Sequence, residues 1–144
     1  LEKYLGKWYE IARLGHPFER GLVNVSAEYS LGEKGEVKVL NKGFSKKQNR
    51  WKEARGKAYF VDGNNKRGFL KVSFFGPFYG SYIIVELDKE NYNYALVCGP
   101  SRKCLWILSR DKKISDEIKN KLILRAKALG FKTEELIWVE QGEN

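Results

Sequence analysis

The chain has 144 residues, 42% of them hydrophobic and 14% aromatic, with 14 glycines against 3 prolines. That supplies one core-bearing domain over residues 1–144 and excludes a disordered or low-complexity chain. Lysine and arginine number 27 against 18 acids, a formal net charge of +9, which favours anionic partners without dictating a fold.

The first segment, "KWYEIARLGH" from Lys7, alternates apolar and polar residues, and after "PFERGL" the period of two returns in "VNVSAEYSL". A "GEKG" turn separates it from "EVKVLNKGF". The polar break "SKKQNR" precedes "WKEARGKAYFV", and "DGNNKRG" precedes "FLKVSFF". "GPFYG" interrupts before "SYIIVELD"; "YNYALVCG" and "KCLWILSR" complete the series at Arg110. Eight segments with short spacers predict an antiparallel meander, and closing it on itself removes the exposed edges. The expected fold is all-β: an eight-stranded up-and-down barrel.

Beyond Arg110 the period lengthens. Ser115 reads as an N-cap, Asp116 and Glu117 place negative charge in the first turn, and Ile118, Leu122, Ala126 and Leu129 recur at helical spacing. Gly130 stands where a helix ends, and Phe131 is placed for the apolar contact that accompanies a glycine cap. The single α-helix is expected to pack outside the barrel, followed by a short last strand at Leu136 to Glu140. No apolar run approaches the roughly 20 residues of a spanning helix, and no signal-peptide pattern opens the chain.

Cys98 and Cys104 flank the turn of "CGPSRKC", where a tight hairpin permits either a disulfide or two thiols. With His16 as the sole histidine, neither a metal set nor a cofactor is expected. No Ser–His–acid order or paired-acid motif appears, so an enzyme is not expected.

If Trp8 points inward, its even-spaced companions are Glu10 and Ala12. The best inward sets elsewhere are Val25, Ala27 and Tyr29; Val37, Val39, Asn41 and Gly43; Ala54, Gly56 and Ala58; and Leu70, Val72 and Phe74. Many are small, which opens a dry chamber in an eight-stranded barrel; a barrel filled with side chains is the competing reading.

"GKW" at Gly6 to Trp8 and "SR" at Ser109 and Arg110 resemble the lipocalins. So, in order and over essentially the full chain, do "YLGKWYEIARLGHPFERGL", "KVSFFGPFYGSY" and "YALVCGP...LWILSR", most closely in the bacterial outer-membrane members of that family. The resemblance implies a barrel open at one end, with Gly6 and Trp8 at the closed end and Arg110 crossing the indole. It implies a protein that binds fatty acids or lysophospholipids, for storage or transport. It also implies a cell-envelope location on the periplasmic side of the outer membrane, anchored through a cysteine upstream of Leu1, or secretion where no anchor exists. A disulfide does not carry over from these relatives.

With Trp8 at the closed end, alternate connections fall at the mouth: "GHPFERGL", "SKKQNR", "GPFYG" and "GPSRK". Candidate wall contacts are Tyr29, Val39, Leu70, Val72, Phe78, Tyr82, Ile84 and Trp106, and candidate headgroup contacts are Arg20, Lys46, Arg50 and Arg102. Glu86 shares the inward face of the sixth strand only if a partner meets its charge. The partners expected are a fatty acid or lysophospholipid and an anionic membrane surface, with pairing of two barrels left open and nucleic acid excluded. The rival reading is a lipid-free protein-interaction or envelope-stress module that uses the rim.

Overall fold

The computed structural model describes residues 3–14, 22–60, 69–75, 78–99 and 104–142, with backbone alone at 60, 69–75 and 78–81, and among them alternation builds nine strands, with one α-helix packed outside. In chain order these are β1 (Gly6–Leu14), β2 (Leu22–Leu31), β3 (Val37–Ser45), β4 (Arg50–Phe60), β5 (Phe69–Phe75), β6 (Phe78–Leu87), β7 (Tyr94–Cys98) and β8 (Leu105–Ser109). The helix α1 (Asp116–Ala128), a 3₁₀ turn (Thr133–Glu135) and β9 (Ile137–Trp138) follow. From β2 to β8 each strand pairs antiparallel with its predecessor, and β1 pairs with both β8 and β2, closing eight strands into a ring.

Two cores lie on either side of this wall. Inside, Trp8, Tyr29, Val37, Val39, Ala58, Ala95, Val97 and Leu108 cluster. Outside, Leu96, Cys98, Leu105 and Ile107 meet Leu122 and Ala126 of α1, both without exposed surface. The alternate residues of β7 and β8 thus serve the two cores in turn, as a period of two requires.

The helix ends are fixed locally. Ser115 accepts a hydrogen bond from the Ile118 amide at its N-terminus. At the other end Gly130 adopts φ +93°, its amide donates to Lys127 O and the Phe131 amide donates to Ala126 O. That double closure is the Schellman arrangement, and it drives Phe131 into the outer core.

Three departures from the alternating text come from register. Between Glu10 and Ala12, β1 carries a bulge, so Glu10 faces Leu108 and Arg13 faces Trp106, both on the inner side. Ala12 therefore joins the outer core instead of following Trp8 inward. A second bulge, between Ile84 and Glu86, places Glu86 opposite Leu96, on the outer face, where Arg125 of α1 meets it at 3.0 Å. The "GPFYG" break is also shorter than its text: β6 begins at Phe78, with Phe78 opposite Phe75 and Gly80 opposite Val72. The last strand is confined to Ile137–Trp138, because the segment beyond it turns to other work.

That work is at the seam of the ring. β1 and β2 pair only over Gly6–Tyr9 and Ser26–Tyr29. Toward the mouth they part, β2 through a bulge at which Asn24 adopts φ +53°. β9 pairs with Ala12 and Arg13 in the gap, the Val139 amide donates to Ile11 O, and the Asn24 amide donates to Glu140 O. Gln141 Nε2 completes the stitch by donating to Glu10 O at 2.7 Å and Val25 O at 2.9 Å.

Candidate functional site

The floor of the barrel is built around Trp8. Its ring has no exposed surface, its Nε1 donates to Tyr4 O at 2.7 Å, and the Arg110 guanidinium carbon lies 3.9 Å from the ring centroid. Arg110 donates to Lys7 O, Lys3 O and Leu5 O at 2.7–2.9 Å, and its Nε reaches Tyr92 O at 3.3 Å. A planar fork of donors over an aromatic face laces the incoming chain to the floor in a way an ammonium does not reproduce. Gly6 is required beneath it: φ is +99°, and a Cβ there would stand 3.3 Å from Arg110 Nη1.

Directly above the floor three phenols meet. Tyr82 Oη lies 2.5 Å from Tyr4 Oη and 2.8 Å from Tyr29 Oη. Burial pushes the Tyr4 and Tyr82 phenols well above their ordinary range, and the neighbouring Tyr29 pushes both the same way. Tyr4 and Tyr82 therefore keep their protons at any physiological pH, and the three hydrogen-bonded phenols form a polar knot in an otherwise apolar base.

Farther up, the wall divides by side-chain size. On β2, β3 and β4 the inward positions Ala27, Asn41, Ala54 and Gly56 keep part of their surface accessible, and they are small or short. On β6 and β8 the facing positions are Tyr82, Ile84 and Trp106, large and also partly accessible. Tyr29 and Val39 are nearly fully buried in the base of this wall. Leu70 and Val72 occupy register positions opposite Tyr82 and Gly80, and Phe78 starts β6; their side chains lie outside the described residues.

Of the cations expected at the mouth, Lys46 is held away by Glu140 at 2.8 Å, and Arg50 donates to Gln48 Oε1 at the turn. Arg20 and Arg102 lie outside the described residues. Among the described residues, two cations missing from that set do face inward. Lys52 sits opposite Gly43 on the inner parity of β4, half-buried near the mouth. Arg13 is 2% exposed on the inner face of β1, with Nη1 3.5 Å from Glu10 Oε1. The parity of Ala54, Gly56 and Ala58 already assigns Lys52 to that face; the bulge that turns Arg13 inward leaves no mark in the text.

Cys98 and Cys104 are both free thiols. The register explains it: Cys98 pairs with Leu105 and faces α1, whereas Cys104 belongs to the next pair, beside Gly99 and Trp106, on the other face of the hairpin. Burial raises the Cys98 thiol pKa, and the neighbouring Cys104 adds to the rise. Among the described residues no cluster of His, Cys, Asp and Glu is suited to hold a metal ion.

Comparison with known proteins agrees with this architecture. A family model described as a lipocalin-like domain matches residues 1–141. The outer membrane lipoprotein Blc of Vibrio cholerae is 56% identical over 141 residues, 98% of this chain and 82% of that protein. The protein of the same name from Escherichia coli K12 is 53% identical over 140 residues, 97% and 78% of the two chains. Temperature-induced lipocalin-1 of Arabidopsis thaliana is 33% identical, covering 94% and 76%. In shape the chain is similar to lobster apocrustacyanin A1, with a TM-score of 0.79 at 22% identity, covering 99% of this chain and 79% of that one. A ring of eight strands floored by Trp8 and Arg110, matched along almost its whole length by these relatives, makes this chain a member of the lipocalin family.

Proposed function

We propose that this protein binds fatty acids or lysophospholipids inside the barrel and stores or carries them in the cell envelope. The observation that carries the reading is the contrast in the wall: small, accessible residues on β2–β4 face large, accessible ones on β6 and β8, above a sealed floor. Such a chamber takes an acyl tail, and burial stabilises it by roughly 0.8 kcal/mol per methylene. Lys52 at the inner lip is placed to meet a carboxylate or phosphate, with the tail pointing down toward the tyrosine trio. The relatives' printed name, outer membrane lipoprotein, supports an envelope location associated with the outer membrane; its periplasmic side and an anchor through a cysteine upstream of Leu1 are part of this proposal.

Filling the chamber tests this. In native mass spectrometry the protein should take up one oleate or one lysophosphatidylethanolamine, each displacing the other. Ala54→Trp should lower both affinities at least tenfold while circular dichroism stays unchanged. Uptake that ignores Ala54→Trp and Ala27→Phe alike would remove the ligand from the barrel.

A further inference from the structure

The outer wall of β3 and β4 is not explained by the chamber behind it. Because Val37, Val39 and Ala58 face inward, the alternate residues of both strands face out. Lys38 stands opposite Lys57, Leu40 opposite Arg55, Lys42 opposite Glu53 and Phe44 opposite Trp51. The four cations are exposed. Like charges directly across a sheet destabilise it, so the Lys38–Lys57 pair is a cost that the fold does not recover.

The carboxylates nearby do not cancel this field. Glu53 lies 3.6 Å from both Lys42 and Arg55, and exposed Glu28 of β2 opposes Leu40. Glu140 is occupied by Lys46. Lys47 and Arg50, both exposed, extend the positive charge around the β3–β4 turn.

At the mouth end of the same face Trp51 is 55% exposed, braced edge-on by Phe44 with ring centroids 5.4 Å apart at 73°. An indole held out beside cations on long apolar stems is the composition that settles at the headgroup level of a bilayer. A surface for single-stranded nucleic acid instead presents a succession of rings, one for each stacked base, and this face has a single exposed indole at one end.

We propose that the outer face of β3 and β4 is a docking surface for anionic phospholipid bilayers. Trp51 enters the interface at the lip of the barrel, and Lys38, Lys42, Arg55 and Lys57 lie along the headgroups. The wall between this face and the chamber makes docking independent of whether the chamber is occupied.

Vesicles of phosphatidylcholine, with and without phosphatidylglycerol, provide the test. The full chain should sediment with the anionic vesicles, should be released by salt, and should bind pure phosphatidylcholine at least tenfold more weakly. Lys38→Gln with Lys57→Gln should weaken partition roughly fivefold per charge at low salt. Trp51→Ser should weaken it about tenfold and abolish quenching by brominated lipid, whereas Trp138→Ser should change neither. Oleate uptake, measured on the same variants, should stay at the parent value, which confirms the fold and separates docking from filling of the chamber. The proposal is overturned by equal binding to neutral vesicles, by quenching that survives Trp51→Ser, or by tighter binding to a single-stranded oligonucleotide than to anionic vesicles.

Discussion

Arg110, just past β8, ties its own segment to the N-terminal segment and to the turn before β7 through one planar group. Its donors reach carbonyls at Lys3, Leu5, Lys7 and Tyr92, while its face covers Trp8. Arg110→Lys keeps the charge and loses the fork, so it should destabilise the fold by about 2–4 kcal/mol in urea unfolding, nearly as much as Arg110→Ala. The tyrosine trio makes a different demand, one that pH reveals. The native phenols of Tyr4 and Tyr82 hold their protons to a higher pH than unfolded tyrosine, whose pKa is about 10. The stabilisation is complete below pH ~10 and is lost as pH rises beyond it, because the unfolded state releases protons first. Absorbance titration of the eight tyrosines should therefore show a late fraction that appears only with unfolding. Tyr82→Phe should shrink that fraction and flatten the alkaline fall in stability.

At the level of elements, the seam between β1 and β2 is where local rules give way to distant ones. Asn24 at φ +53° bends β2 away, and Gln141 spans the opening with one side-chain amide. Gln141→Ala should cost about 1–2 kcal/mol. Amide exchange should quicken at 10–13 and 22–26 while the β6–β8 amides keep their protection. The strands themselves were legible in the sequence, since alternation is written in side-chain type. The bulges were not: an extra residue at Ile11 or beside Val85 adds no turn residue and no polar mark, yet it reverses the facing of all that follows. Uninterrupted alternation sets Ala12 inward, where the bulge turns it to the outer core, and gives no sign that Arg13 turns in; Glu86, left open to either face by alternation, lies outside. The α1 caps were readable because Ser115 and Gly130 act within four residues of themselves.

Across the whole molecule, charge and shape are distributed on separate faces. The inner side of the wall carries small residues and, among those described, one partly accessible lysine, Lys52; the opposite side of the same two strands carries Trp51 and a run of cations. Sequence parity separates those two faces without revealing which residues near the lip remain in contact with solvent. Lys46 illustrates the limit, since its ion pair with Glu140 joins residues 94 positions apart. The cysteines illustrate the same limit at short range: six positions apart in the text, they end on opposite sides of one hairpin because a single register step separates their pairs.

The stitch at the seam also constrains how the chain can be assembled. Gln141 lies 131 positions from Glu10 and 116 from Val25, so a nascent chain carrying β1 to β7 is a curved sheet with two bare edges. Such edges recruit other strands, and long-range closures are slow. The barrel is thus exposed to mispairing until its last strands arrive, and a chaperone that shields the bare edges of β1 and β7 during synthesis would act before that closure.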